Sequence, residues 1–196
     1  MQNITKRAVV AFVGVLAAFA AGVTTASAAP TDGLVVETTA GMTIKGFDRA
    51  VAEANGYEIR TDAAGREYSV KRGTPPEVGV NSPGGSVVEG NCGISRVKIN
   101  YTGRGSARLE TGASVYAPIV AYEWHVKILD PWGVSSQDWG PLPGPGTPTL
   151  GLGRDLSGLG GGNTFAEVQG NTSRVILQGG AICWSGTHAD STYVYP

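Results

Sequence analysis

Hydrophobic and polar positions alternate strictly over several stretches of the chain. In "SRVKINYTG", Ser95, Val97, Ile99 and Tyr101 fall on one side, and Arg96, Lys98 and Asn100 fall on the other. In "AYEWHVKIL", Tyr122, Trp124, Val126 and Ile128 alternate with Glu123, His125 and Lys127. A period of two means a strand with one buried and one wet face, which points to antiparallel pairing. Gly103 and Gly105 turn the chain into a further strand over Ala107–Tyr116, and "DPWG" turns it after Asp130. After a Gly/Pro-rich excursion, "TFAEVQ", "SRVILQ", "AICWS" and "STYVY" read as short strands, with "GTHAD" as the turn before the last. Short strands separated by turn clusters predict a mainly β fold, an antiparallel β-sandwich.

The region before this pattern has another texture. "GFDRAVAEANG" places Phe47, Val51 and Ala54 on one helical face, with Asn55-Gly56 as the stop. "YEIRTDAAGREYSVKRG" alternates on both sides of a turn at Asp62–Gly65 and predicts a β-hairpin. The run "GTPPEVGVNSPGGSVVEGN" then reads as a linker or long surface crossing. The expected organisation is a helix-hairpin segment over 29–72, a linker over 73–90 and a sandwich domain over 91–196. The first segment ends in the basic pair Lys71-Arg72. It is either a removable pro-segment or a permanent partner of the sandwich.

The first residues carry an address. Lys6 and Arg7 precede an apolar run from Ala8 to Val23, and Ala26-Ser27-Ala28 supplies an A-x-A cleavage site. That order predicts a secretory signal peptide over 1–28. The run is shorter than the roughly 18 or more residues needed to span a bilayer, so no membrane span is expected after cleavage. The secreted chain would hold about 168 residues, enough for one domain with an appendage. Its two cysteines, Cys92 and Cys183, then meet an oxidising compartment, and a disulfide between them is expected. Closing a loop of roughly 90 residues is worth about 4.5 kcal/mol in the chain-entropy account.

Composition narrows the partners. Glycine is abundant at 30 residues and charged residues make up 16%, as suits a turn-rich β protein. Losing Lys6 and Arg7 takes the formal net charge from −1 to −3. The remaining charges are scattered, so nucleic acid is not expected as a partner. The helix-hairpin-linker-sandwich layout, with "NCG" opening the domain and "AICWSG" near its end, resembles secreted proteins of unknown function from high-GC Gram-positive bacteria. That resemblance implies no activity. It does imply that the N-x-S/T sites at Asn100 and Asn171 are unmodified.

Candidate chemistry is sparse. Ser185, His188 and Asp190 lie close in sequence, but "CWSGT" lacks the first glycine of a nucleophile elbow. Two histidines and two disulfide cysteines are a poor set for zinc, and no metal or cofactor is expected. In "GLGRDLSGLGGGN" Leu156 stands where a dinucleotide loop needs its third glycine, and Leu159 stands where a calcium loop needs an oxygen ligand. The segment reads as a surface loop. Glu123, Asp130, Asp138, Asp155 and Glu167 could supply a carboxylate pair for glycoside hydrolysis only if the fold brings two together. Trp132 and Trp139 sit in turn-rich sequence beside carboxylates and prolines. Indoles so placed either stack on a sugar or anchor a protein, or else they cap the end of the sandwich. Trp124 lies on the core face and reads as packing. The leading expectation is a non-enzymatic extracellular or cell-surface protein with a binding or structural role. Its expected partner is a cell-wall polysaccharide, held by Trp132 and Trp139, or an extracellular protein. A secreted hydrolase and a protease inhibitor presenting "GPLPGPGTP" are the other classes the sequence allows.

Overall fold

The computed structural model describes residues 37–75 and 90–196. The expected signal peptide, and most of the expected linker, lie outside the described residues. In chain order the elements are β1 (Thr38–Phe47), α1 (Arg49–Ala54), β2 (Tyr57–Thr61), β3 (Glu67–Lys71), β4 (Gly93–Gly103), β5 (Ser106–Val115) and β6 (Ile119–Asp130). They continue with β7 (Gly133–Pro143), β8 (Thr149–Ser157), β9 (Gly162–Val168), β10 (Arg174–Leu177), β11 (Ala181–Ser185) and β12 (His188–Val194). Among the described residues the fold is mainly β and antiparallel, with one short helix, a separate β2–β3 hairpin and a Cys92–Cys183 disulfide. The large sheet runs β12-β9-β6-β10-β11-β1-β4-β5-β8, with β7 added on β6.

This one sheet supplies both faces of its own core by curling. β1 pairs with β4 only as far as Thr38 opposite Val97, which leaves the second half of β4 without that neighbour. β12 comes up against it there. The Asp190 carboxylate accepts the Ile99 backbone N–H at 2.8 Å, and Gly105 N–H donates to the Tyr195 carbonyl at 2.9 Å. A strand edge that would otherwise stand unpaired is thereby satisfied. Long β6 is shared in the same way. Its first half pairs with β10 and its second half with β9, while β7 follows the opposite edge.

The enclosed core holds the alternating residues of the strong strands. Val97, Ile99, Leu109, Trp124, Val126, Ile128, Val168 and Val175 are all buried. Trp124 is fully buried, and its indole N–H donates to Thr111 Oγ1 of β5 at 2.9 Å. That hydroxyl passes its own proton to the Arg96 carbonyl of β4 at 2.8 Å. The buried indole is thus satisfied through one hydroxyl, as a buried polar group must be. Gly112 follows Thr111 because β8 passes so close. A Cβ there would lie 1.9 Å from the Leu150 carbonyl.

Several elements differ from the sequence reading. β1 replaces the first turn of the expected helix, so Phe47 ends a strand and α1 spans only Arg49–Ala54. Asp48 caps it, its side chain accepting the Val51 N–H at 3.0 Å. β1 lies between β11 and β4, hydrogen-bonded on both edges. The 29–72 segment therefore contributes a central strand to the sheet expected to begin at 91. Its helix sits on the β10–β11 turn, where Asp48 N–H donates to the Gly180 carbonyl at 2.7 Å. "GTHAD" is not a turn, since His188 already opens β12 and pairs with Val168. The glycine-rich "GLGRDLS" is strand β8, matched to β5 from Ser106 to Ser114. Polar, exposed β7 also escaped notice, because its order comes from pairing with β6 and its sequence lacks an apolar face.

The disulfide joins the residue before β4 to the middle of β11, with Cα atoms 5.9 Å apart and both cysteines buried. Replacing both by alanine should cost about 2–5 kcal/mol, read as a lower midpoint in urea unfolding. Thr111→Val should cost about 1–3 kcal/mol, because the Trp124 N–H would stay buried without an acceptor. Equal unfolding midpoints for Thr111→Val and the parent would show that the indole finds another partner.

Candidate functional site

The two tryptophans expected to form one platform stand apart. Trp139 is in β7 directly opposite Trp124, and Gly133 at the far end of β7 pairs with Asp130. Six strand positions separate those two points, about 20 Å at 3.4 Å per residue. Trp139 is half-buried against the core, and the Arg154 guanidinium lies 4.9 Å above its ring. That arginine also donates to Gln137 at 2.8 Å, so it ties β8 to β7. Trp132, in the β6–β7 turn, is 77% exposed. The turn is held by Asp130, whose carboxylate accepts the Trp132 N–H at 2.7 Å and the Gly160 N–H at 3.3 Å.

Two residues beyond Trp132 begins an apolar row that the sequence reading missed. On the outward face Val134 of β7 pairs with Leu129 of β6, which pairs with Phe165 of β9. Val134 and Phe165 are exposed. Exposed Tyr193 of the neighbouring β12 and Tyr195 just beyond it meet edge to face at 4.9 Å, and Tyr195 meets Tyr101 of β4 at 5.3 Å. Single exposed apolar residues are ordinary, but a contiguous run of them marks a contact surface. Phe165 and Tyr193 were visible in sequence only as one side of a short strand. The register that lines Phe165 up with Leu129 and Val134, and sets Tyr193 two residues along β12 from Ser191, the partner of Phe165, belongs to the fold.

The residues of the triad-like tail face three different partners. Ser185 is buried and its Oγ donates to Ser95 Oγ at 2.8 Å, whose hydroxyl donates to the Ala40 carbonyl at 3.2 Å. His188 Nδ1 donates to the Gly186 carbonyl at 3.0 Å, and Asp190 holds the β4 edge. The carboxylates are spoken for as well. Asp155 pairs with Arg108 at 3.0 Å, and Glu167 accepts from Gln169 at 2.7 Å. Glu123 and Asp138 do converge, but on His125. Asp138 lies 2.7 Å from Nδ1 and Glu123 lies 3.5 Å from Nε2, so both ring nitrogens face carboxylates. Among the described residues no cluster of three His, Cys, Asp or Glu side chains is arranged to hold a metal ion.

From that histidine a ladder of polar contacts crosses the outer face. Glu123 accepts from Arg174 of β10 at 2.8 Å, and the Arg174 guanidinium lies 5.1 Å from the centre of the Trp184 ring in β11. Lys45 of β1 approaches the same ring, its Nζ 5.7 Å away. Trp184 and Lys45 line an open cleft of about 400 Å³ together with Thr43, Asn171 and Thr187. A second cleft of about 420 Å³ on β4, β5 and β8 is lined by Arg96, Lys98, Arg108, Glu37 and Glu110. Its arginines are paired with its glutamates, Arg96 with Glu37 at 3.4 Å and Arg108 with Glu110 at 4.0 Å.

No family model, curated protein or solved structure matches this chain.

His188 gives the tail a pH dependence. Burial holds its imidazole below the ordinary value, the hydrogen bond to Gly186 opposing, and its Nε2 is buried without a partner. Well above the ordinary histidine pKa of about 6.5 the ring is neutral in the folded and unfolded chain alike. Below it the unfolded chain binds a proton that the folded chain resists, so stability falls as pH falls. The melting temperature should therefore decline between pH 7 and pH 5.5, and less steeply in His188→Asn. Parallel curves for the two proteins would remove His188 as the cause.

Proposed function

We propose that this chain is a secreted, non-enzymatic binding protein of the extracellular surface. It contacts cell-wall polysaccharide through the aromatic end formed by Trp132, Phe165, Tyr193 and Tyr195. The observation that carries this reading is the 77% exposure of Trp132, two residues before the outward row of Val134, Leu129 and Phe165. An indole held out in solvent by a hydrogen-bonded turn leaves a large apolar area to be covered by something else. Rigid presentation lowers the entropy lost on binding, and the hydrogen bonds of Asp130 provide it here. The leader sequence and the buried disulfide both suit an oxidising extracellular location. Trp139 has a different part in this reading. Covered by Arg154, it secures β7 against the core.

A pull-down of the chain without its expected signal peptide, on insoluble polysaccharide and on whole cell walls, tests the proposal. Wild-type protein should sediment with the walls, and Trp132→Ala should lose at least about tenfold in affinity, the size of effect expected of a central aromatic contact. Tyr193→Ala should weaken binding as well. Binding that survives both substitutions, or none by the wild type, would refute the reading.

A further inference from the structure

We infer that the cleft over Trp184 is a second binding site, distinct from the aromatic end, and that it takes an acidic saccharide unit. Five side chains carry this assignment: Thr43 and Lys45 from β1, Trp184 from β11, and Asn171 and Thr187 from the flanking loops. They surround an open space of about 400 Å³, room for one or two sugar rings of a longer polymer.

The chemistry of the lining selects the ligand class. Trp184 is half-buried in the strand, so its ring is a fixed apolar surface of the kind that meets the C–H face of a pyranose. Ser185 also lines the cleft, but its hydroxyl is buried against Ser95. The neutral polar groups left to a ligand are the hydroxyls of Thr43 and Thr187 and the Asn171 amide, which can donate and accept in turn as sugar hydroxyls require. Thr187 Oγ1 already accepts the Gly170 N–H at 3.2 Å, which fixes the oxygen and leaves its proton to give. The remaining polar side chain is a cation. Two cations approach the indole, and they are not equivalent. Arg174 is neutralised by Glu123 at 2.8 Å. Lys45 is exposed, and among the described residues it forms no salt bridge. Its ammonium rests near the ring at 5.7 Å, a weak contact at an exposed site. It would give way to a carboxylate, which offers a charge-assisted hydrogen bond. Among the described residues no acidic side chain lines the cleft, so none of them repels an anion there. A hexuronate presents an apolar ring face, several hydroxyls and one carboxylate, and so matches every group. A neutral sugar would leave Lys45 unused.

Calorimetric titration of the purified secreted chain with tetragalacturonate, a hyaluronate tetrasaccharide and neutral cellotetraose tests this. At least one acidic tetrasaccharide should bind about tenfold more tightly than cellotetraose, and raising salt from 50 to 500 mM should weaken it several-fold. Lys45→Gln, an exposed change that leaves the sheet intact, should remove the preference for acid. Trp184→Phe should weaken acidic and neutral ligands alike, with the far-ultraviolet spectrum unchanged. Trp132→Ala should leave these titrations as they were, which separates this cleft from the aromatic end. Failure of both acidic ligands, equal affinity for cellotetraose, unchanged binding by Lys45→Gln or loss of binding in Trp132→Ala would each overturn the assignment. Only the Trp132→Ala result bears on the aromatic end, where a loss of binding would place the saccharide; the other outcomes leave wall binding through that end untouched.

Discussion

β1 hydrogen-bonds to β4 along one edge and to β11 along the other, and this double pairing is the constraint on which the rest of the sheet depends. Its two neighbours lie some 90 residues apart, and they are the strands that the disulfide ties together. With β1 in place, β10 and β11 join continuously to β4, β5 and β8. Without it the long sheet would divide into two pieces with new open edges. The cystine restrains the same junction in the unfolded chain, so it narrows the search for the pairing as well as holding the result. Because β1 stops at Thr38, half of β4 is left for β12, and the Asp190 carboxylate takes up the exposed edge.

The curl separates two environments with different work. Inside, Trp124, Thr111 and the Arg96 carbonyl form a short hydrogen-bonded chain amid aliphatic packing. It joins β6, β5 and β4. Outside, alternation delivers a polar and aromatic face on which neighbouring strands line up side chains from distant parts of the sequence. The ladder from Asp138 through His125, Glu123 and Arg174 to Trp184 crosses β7, β6, β10 and β11 in this way. Both proposed contact surfaces are of this outer kind. The aromatic end is apolar and projecting, whereas the Trp184 cleft is concave and cationic, and they suit different ligand chemistry.

Residues that are neighbours in the chain part company in the fold for definite reasons. Ser185, His188 and Asp190 look like a catalytic set because they are neighbours in the chain. On β11 and β12 they address Ser95, Gly186 and Ile99 respectively. Trp132 and Trp139 look like a pair for the same reason, yet the length of β7 separates them, and Arg154 from β8 covers one of the two. Trp184 was passed over as part of a strand. Its interest arises only when Lys45 and Asn171, more than a hundred residues apart, are brought to its rim.

What the sequence determined by itself was whatever rests on local period and on cysteine count. Alternation at Val97, Ile99, Trp124, Val126 and Ile128 defined strands and their buried sides, since one turned-in face must leave water. Two cysteines permitted one internal bridge. Tertiary structure decided the rest. β7 and β8 carry too many glycines, prolines and polar residues to declare themselves, and they are strands because β6 and β5 offer them hydrogen-bonding edges. β1 is placed by partners some 90 residues apart in the chain, β4 and β11. The contact surfaces depend on register, and register is a relation between strands that no single stretch of sequence contains.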